Sequence, residues 1–235
     1  MTLPAQLSPR VAALLKKTHA ARGRLVFALD ATASRERTWD LAAQLQASMF
    51  EEAAKIGGLD VQLVFYRGCN EVQQTPWLSD AHELIRRMST IRCEAGATKI
   101  ARVLQHIQTE NKREKINAAV FIGDAVEEPP SELYDAAAGL GVPMFWFQEG
   151  DNEAIWLNQP GELAGGYSPQ KLVKVEQVFR ELARLTGGAY GKFDAGAAKQ
   201  LGELLRAIAA FTVGGITALA KQQTDSARKL LGQLK

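Results

Sequence analysis

Short apolar runs that are followed by an aspartate constrain the fold of this chain more than any other feature. Residues 25–29 (LVFAL) and 118–122 (AAVFI) are apolar throughout, with Asp30 and Asp124 close behind them. Strands without polar alternation are typical of a parallel sheet whose two faces are both covered by helices. Segments with helical periodicity separate these runs. We therefore predict a three-layer α/β fold with a mostly parallel, doubly wound sheet.

The remaining segments alternate between strand-like and helix-like patterns in the same way. Apolar spacing, glycine stops and turn residues predict helices over residues 39–56, 80–88, 98–110, 131–140, 169–185 and a last segment ending near 210, and strands over 61–66, 71–74, 142–147 and 189–193. The expected organisation is an N-terminal helical extension at residues 1–23, one α/β domain at 24–210 and a C-terminal helix at 211–235. The two terminal helices either pack on the domain or dock a partner.

Composition and missing motifs narrow the function. The 28 basic and 26 acidic residues give a net charge of +2, too close to neutral to indicate a nucleic-acid partner. The N-terminus lacks the apolar core of a signal peptide, and the longest apolar run is shorter than the ~18–20 residues that cross a bilayer. The expected location is therefore the cytoplasm. Neither a P-loop nor GxGxxG, GxSxG or HExxH is present, so we expect no enzyme activity.

Oxygen-bearing side chains gather around the predicted strand ends. Asp30, Thr32 and Ser34 alternate with alanines, which would turn their oxygens to one side of an extended or turning segment. Asp124 follows a second strand, and Thr98 follows a small, flexible loop at the start of a predicted helix. Ligands gather at the carboxyl ends of parallel strands, and Mg²⁺ prefers oxygen ligands. These five residues are the candidate metal ligands.

This pattern resembles the von Willebrand factor type A (VWA) domain. Its metal-ion-dependent adhesion site consists of D-x-S/T-x-S, a distant Thr and a distant Asp, in the order in which Asp30, Thr32, Ser34, Thr98 and Asp124 stand here. Residues 182–190 (LARLTGGAY) are also similar to the family's entry to its last strand. This chain has Thr32 where Ser is commoner, and Ala125 follows Asp124 where the family favours Gly.

The resemblance implies a Rossmann-like fold and a bacterial cytosolic protein-binding module. The five residues would hold Mg²⁺ or Mn²⁺, and a partner protein would complete the metal shell with an Asp or Glu. Related bacterial domains often serve as adaptors beside ATPases or chaperones. Arg35, Arg37 and Glu127 would form a polar rim that selects the partner, with the arginines attracting its acidic group.

Three other interpretations remain open. The same five residues could simply cap helices and turns. The fold could also carry a vestigial metal site and assemble with partners through its terminal helices. A haloacid dehalogenase-like phosphatase would use Asp30 as nucleophile, with later acids such as Glu128 holding Mg²⁺. That chemistry needs a second Asp as general acid two residues on, where this chain has Thr32.

Overall fold

A computed structural model describes residues 22–35, 58–68, 70–150, 155–157, 171–193 and 198–234. The predicted helix at 39–56, nearly all of the predicted N-terminal extension and Arg37 lie outside the described residues. Helices are numbered below in chain order among the described residues.

The centre of the molecule is a six-stranded sheet with the order β3-β2-β1-β4-β5-β8. Its strands are β1 (Gly23–Asp30), β2 (Leu59–Arg67), β3 (Glu71–Gln74), β4 (Ala118–Gly123), β5 (Met144–Glu149) and β8 (Ala189–Phe193). Every neighbouring pair is parallel except β2 and β3, which are antiparallel. The prediction of a mostly parallel sheet is confirmed. Two short strands, β6 (Ile155–Leu157) and β7 (Lys171–Val173), pair separately.

Six helices are described around this sheet. They are α1 (Ala81–Thr90), α2 (Ile100–Arg113), α3 (Pro130–Ala138), α4 (Val175–Thr186), α5 (Ala198–Ala220) and α6 (Asp225–Gln233). Asp80 caps α1, as its position before the helical pattern predicts, and its side chain accepts a hydrogen bond from the Glu83 amide.

The hydrophobic core consists of two layers, one on each face of the sheet. Along β1, Leu25, Phe27 and Leu29 belong to one layer, while Val26 and Ala28 belong to the other. The first layer includes residues of α1, α5 and α6, and the second includes residues of α2, α3 and α4. Helices therefore cover both faces, which explains why the β1 sequence is apolar without alternation.

The C-terminal segment packs on the first of these layers. The predicted boundary at residue 210 falls inside α5, which continues to Ala220 across a kink at Gly215. Leu219 of α5 and both Ala227 and Leu230 of α6 are buried in the same layer as Leu25. No helix among the described segments has the length and apolar character needed to cross a membrane.

Candidate functional site

The carboxyl ends of β1 and β4 lie side by side at one edge of the sheet. Asp30 is the last residue of β1, and Asp124 directly follows the last residue of β4. The register pairs Leu29 with Ile122, so the two aspartates leave the sheet at nearly the same level. Parallel topology therefore brings together two acids that are 94 residues apart in the sequence.

Asp30 is completely buried at this edge, and both of its carboxylate oxygens accept hydrogen bonds. Oδ1 accepts from the backbone amide of Thr32 at 2.8 Å, and Oδ2 accepts from the Tyr66 hydroxyl at 2.9 Å. Tyr66 lies on β2, directly opposite Asp30 in the strand register. These donors offset part of the cost of burying a carboxylate. Tyr66 is a functional residue that no motif indicates, since its only signal in the sequence is its place at the end of the neighbouring strand.

Thr32 and Ser34 form the next part of the site, at the start of a 3₁₀ turn (Ala33–Arg35). Their hydroxyl oxygens are 3.1 Å apart, with Thr32 buried and Ser34 exposed. The alternation in the sequence therefore does place two hydroxyls together. Because Thr32 also donates its amide to Asp30, this turn connects the buried carboxylate to the surface.

Thr98 comes from the loop that leads into α2. That loop runs close to the end of β2: a β-carbon on Gly96 would collide with the backbone carbonyl of Gly68, so only glycine fits this approach. The Thr98 amide donates to Glu127 Oε2 at 2.9 Å, and its hydroxyl accepts from the Glu127 amide at 2.9 Å. The hydroxyl also donates to Glu128 Oε2 at 2.8 Å. Thr98 is thus fixed to the loop that follows Asp124.

Glu128 is the second residue whose role the sequence does not indicate, because its spacing after Asp124 suggests only a phosphatase-type acid. Helix α2 begins after Lys99, whose side chain makes no capping hydrogen bond to the first amides of the helix. The Glu128 carboxylate supplies the cap from the other loop and accepts hydrogen bonds from the Ile100 and Ala101 amides at 3.0 and 2.8 Å. An acidic residue there also complements the positive end of the helix dipole.

The turn after β1, the loop before α2 and the loop after β4 border a cleft of about 360 Å³, called here the strand-end cleft. Its described lining residues are Thr32, Ala33, Ser34, Ala95, Gly96, Thr98, Asp124, Ala125 and Glu127. Four of the five predicted ligands therefore share one cleft, and Asp30 is buried next to it, bonded to Thr32.

The predicted rim is described only in part. Glu127 lines the cleft, and its carboxylate accepts the hydrogen bond from the Thr98 amide. Glu127 therefore fixes the loop that contains Thr98 and also faces solvent. The backbone of Arg35 belongs to the 3₁₀ turn, whereas its side chain and the whole of Arg37 lie outside the described part of the chain.

Acidic groups surround the Tyr66 hydroxyl at this edge of the sheet. Burial raises the pKa of the Tyr66 hydroxyl well above its ordinary value, and the nearby charges of Asp30, Glu128 and Asp124 raise it further. Tyr66 therefore stays protonated and remains a donor to Asp30. Among the described residues that line the cleft, two are acids and none is a lysine or arginine.

The donor chemistry of the cleft fits a hard cation that retains several water ligands. Hydroxyl and carboxylate oxygens are what Mg²⁺ and Mn²⁺ bind, and Mg²⁺ needs few protein ligands because it dehydrates reluctantly. Within the described ranges, no three His, Cys, Asp or Glu side chains are grouped so that they alone could hold a metal ion. A cation here would thus depend on the hydroxyls of Thr32, Ser34 and Thr98 as well as on carboxylates.

Known structures share this fold. BatB from Bacteroides thetaiotaomicron, a conserved hypothetical protein, is 18% identical, with 77% of this chain and 96% of that chain covered and a TM-score of 0.55. The SpRpn10 VWA domain is 11% identical, with 78% and 95% covered and a TM-score of 0.56. A von Willebrand factor type A structure from Catenulispora acidiphila is 15% identical, with 82% and 43% covered and a TM-score of 0.57.

No protein-family model matches the sequence, and no curated protein matches it. At the identities of these structures the similarity concerns the fold, and it confirms the fold that the resemblance implied: this chain has the Rossmann-like α/β architecture of a VWA domain.

Proposed function

We propose that this protein is a non-catalytic interaction module that holds a divalent cation in the strand-end cleft and binds an acidic side chain of a partner protein through it. The observation that carries the proposal is the convergence of three separate loops on one cleft lined by Thr32, Ser34, Thr98 and Asp124. Asp30 would contribute its charge from the buried position next to the cleft. Mg²⁺ or Mn²⁺ fits these oxygen donors.

The charge of the cleft makes the cation essential for an acidic partner. Asp124 and Glu127 line the cleft, so a carboxylate that approached it without a cation would be repelled. A bound dication offsets the two negative charges that line the cleft and can bind a partner oxygen in place of a water ligand. Partner binding should therefore disappear when the cation is chelated.

Metal binding can be tested by isothermal titration of the chelator-treated protein with Mg²⁺ or Mn²⁺. We expect saturable heat from the wild type and an affinity at least about 10-fold weaker for Ser34→Ala, since loss of a group that supports a metal typically costs 10- to 100-fold. Ser89→Ala is the matched control, because Ser89 is an exposed hydroxyl on α1 that bonds only the Arg86 carbonyl. Absence of saturable heat from the wild type, or equal affinities of the two variants, would remove the proposed site.

Partner binding needs a second experiment, because a cation could bind without a partner. Proteins retained from native extract in Mg²⁺ should be released by EDTA and should not be retained by Ser34→Ala. If a partner stays bound in EDTA and is lost only when the exposed Ile216 of α5 is replaced by Asp, the alternative adaptor function through the C-terminal segment would be supported instead. An ATPase or chaperone as partner, and a cytoplasmic location, remain predictions from the resemblance and the sequence.

The environment of Asp30 argues against the phosphatase alternative. A nucleophilic carboxylate must reach a phosphorus atom in line, whereas Asp30 is 0% exposed and both of its oxygens accept hydrogen bonds. The position two residues further on is Thr32, which cannot serve as the general acid near pH 7. Turnover of an aryl phosphate that is lost in Asp30→Asn would overturn this argument.

A further inference from the structure

Three of the proposed ligands are hydroxyl groups. Among the described hydrogen bonds, only the Thr98 hydroxyl has a defined acceptor for its proton, because either Thr32 or Ser34 could be the donor in the bond between them. The one proton of the Thr98 hydroxyl is donated to Glu128 Oε2 at 2.8 Å, and one of its two lone pairs accepts the Glu127 amide at 2.9 Å. One lone pair then remains, and Thr98 lines the cleft. With its proton directed to Glu128, the hydroxyl can act toward the cleft only as an acceptor, which is what a cation requires.

We propose that Glu128 is a positioning residue that orients the Thr98 hydroxyl for the cation, although it does not line the cleft itself. This inference rests on the proposed function. Groups outside the metal shell that accept a ligand's proton fix the orientation of that ligand and increase its basicity. Glu128 stands in this relation to Thr98.

Helix α2 keeps the Glu128 carboxylate in place. Its Oε2 accepts the Ile100 amide at 3.0 Å as well as the Thr98 hydroxyl, and its Oε1 accepts the Ala101 amide at 2.8 Å. The start of α2 has no side-chain cap from Lys99, so these amides depend on Glu128. The same carboxylate thereby sets the position of the helix start and the rotation of the Thr98 hydroxyl.

A double-mutant cycle separates this role from simple support of the fold. Mg²⁺ affinity would be measured by isothermal titration for the wild type, Glu128→Ala, Thr98→Val and the double variant. We expect Glu128→Ala to weaken binding roughly 10- to 100-fold. In the Thr98→Val background the same change should have almost no further effect, because the hydroxyl through which Glu128 acts is already absent.

A merely structural role of Glu128 would give a different result. The loss on Glu128→Ala would then be as large with Val at position 98 as with Thr, and additivity of this kind would overturn the proposal. So would an unchanged affinity of Glu128→Ala. The matched control is Glu132→Ala, an exposed glutamate in the first turn of α3, which should bind like the wild type.

Two further outcomes have defined meanings. If Glu128→Ala does not fold, Glu128→Gln replaces it, because the amide oxygen can still accept from Thr98 and Ile100 but lacks the negative charge that increases the basicity of the Thr98 oxygen. A smaller loss of affinity is then expected, again absent when residue 98 is Val. If the wild type binds no cation, the proposed function fails and this inference fails with it, whereas wild-type binding with an additive cycle defeats this inference alone.

Discussion

At the scale of single residues, hydrogen bonds to the buried Asp30 carboxylate support the edge of the sheet on which the strand-end cleft lies. A carboxylate that is entirely buried is costly unless donors face it, and Asp30 receives the Tyr66 hydroxyl and the Thr32 amide. The sequence indicates Asp30 because an acid after a buried strand is conspicuous. It cannot indicate Tyr66, because the contact depends on the register between β1 and β2.

Removal of the Tyr66 hydroxyl tests this dependence. We expect Tyr66→Phe to lower the free energy of unfolding by about 1.5–3 kcal/mol, the range for a hydrogen bond to a charged group. Tyr190→Phe is the matched control, because the Tyr190 hydroxyl donates to the neutral Gln148 amide oxygen at 2.9 Å, and its loss should cost about 0.5–1.5 kcal/mol. Urea denaturation of the chelator-treated proteins measures both, and equal losses would contradict the special cost at Asp30.

At the level of helices and strands, the sequence predicts best where an element is fully buried and worst where it ends. The apolar runs predict β1 and β4 because both faces of the sheet are covered. The prediction that α3 ends before Gly141 was wrong by two residues, since the helix ends at Ala138 and Gly139 is its C-cap.

Long-range pairing also overrides local pattern. The helix predicted from residue 169 begins only at Val175, because Lys171–Val173 instead forms β7 and pairs with β6. That partner strand is outside the local window from which helical periodicity is judged.

The kink inside α5 is an element-scale feature that can be tested. Gly215 has φ 63° and ψ −160°, a conformation that essentially only glycine adopts. Gly215→Ala should therefore destabilise the protein by about 1–3 kcal/mol in urea denaturation. Gly232 in α6 has open space where a β-carbon would stand and no positive φ. Gly232→Ala should be neutral or stabilising by up to about 1 kcal/mol. A neutral Gly215→Ala would show that the kink is not required.

Across the whole molecule, the site arises from topology more than from any local motif. The parallel arrangement of β1 and β4 was predicted from their sequences, and it alone brings Asp30 and Asp124 to the same edge. Thr98 is a candidate because it follows a small, flexible loop at the start of a predicted helix, and the family pattern agrees with it, although a helix-capping threonine would have the same local sequence. The bonds from Glu127 and Glu128 that hold it cross between two loops, and no spacing rule predicts them.

The status of the C-terminal segment is the remaining question at this scale. The sequence left open whether it packs on the domain or stands apart to dock a partner, and the structure buries Leu230 of α6 in the layer that contains Leu25. If α6 is part of the folding unit, Leu230→Ala should lower the free energy of unfolding of the entire domain by about 2–5 kcal/mol, in one cooperative transition. Ile216 of α5 is 56% exposed, so Ile216→Ala should cost less than about 0.5 kcal/mol.

Urea denaturation followed by circular dichroism and by tryptophan fluorescence distinguishes the two arrangements, because all four tryptophans precede α5 and Trp146 is buried in the opposite layer of the core. In a single folding unit, Leu230→Ala shifts both signals together to lower urea. In a separate appendage, the fluorescence transition would stay at the wild-type midpoint while part of the helical signal is lost earlier. Only that second result would leave the last helix available as an independent docking element.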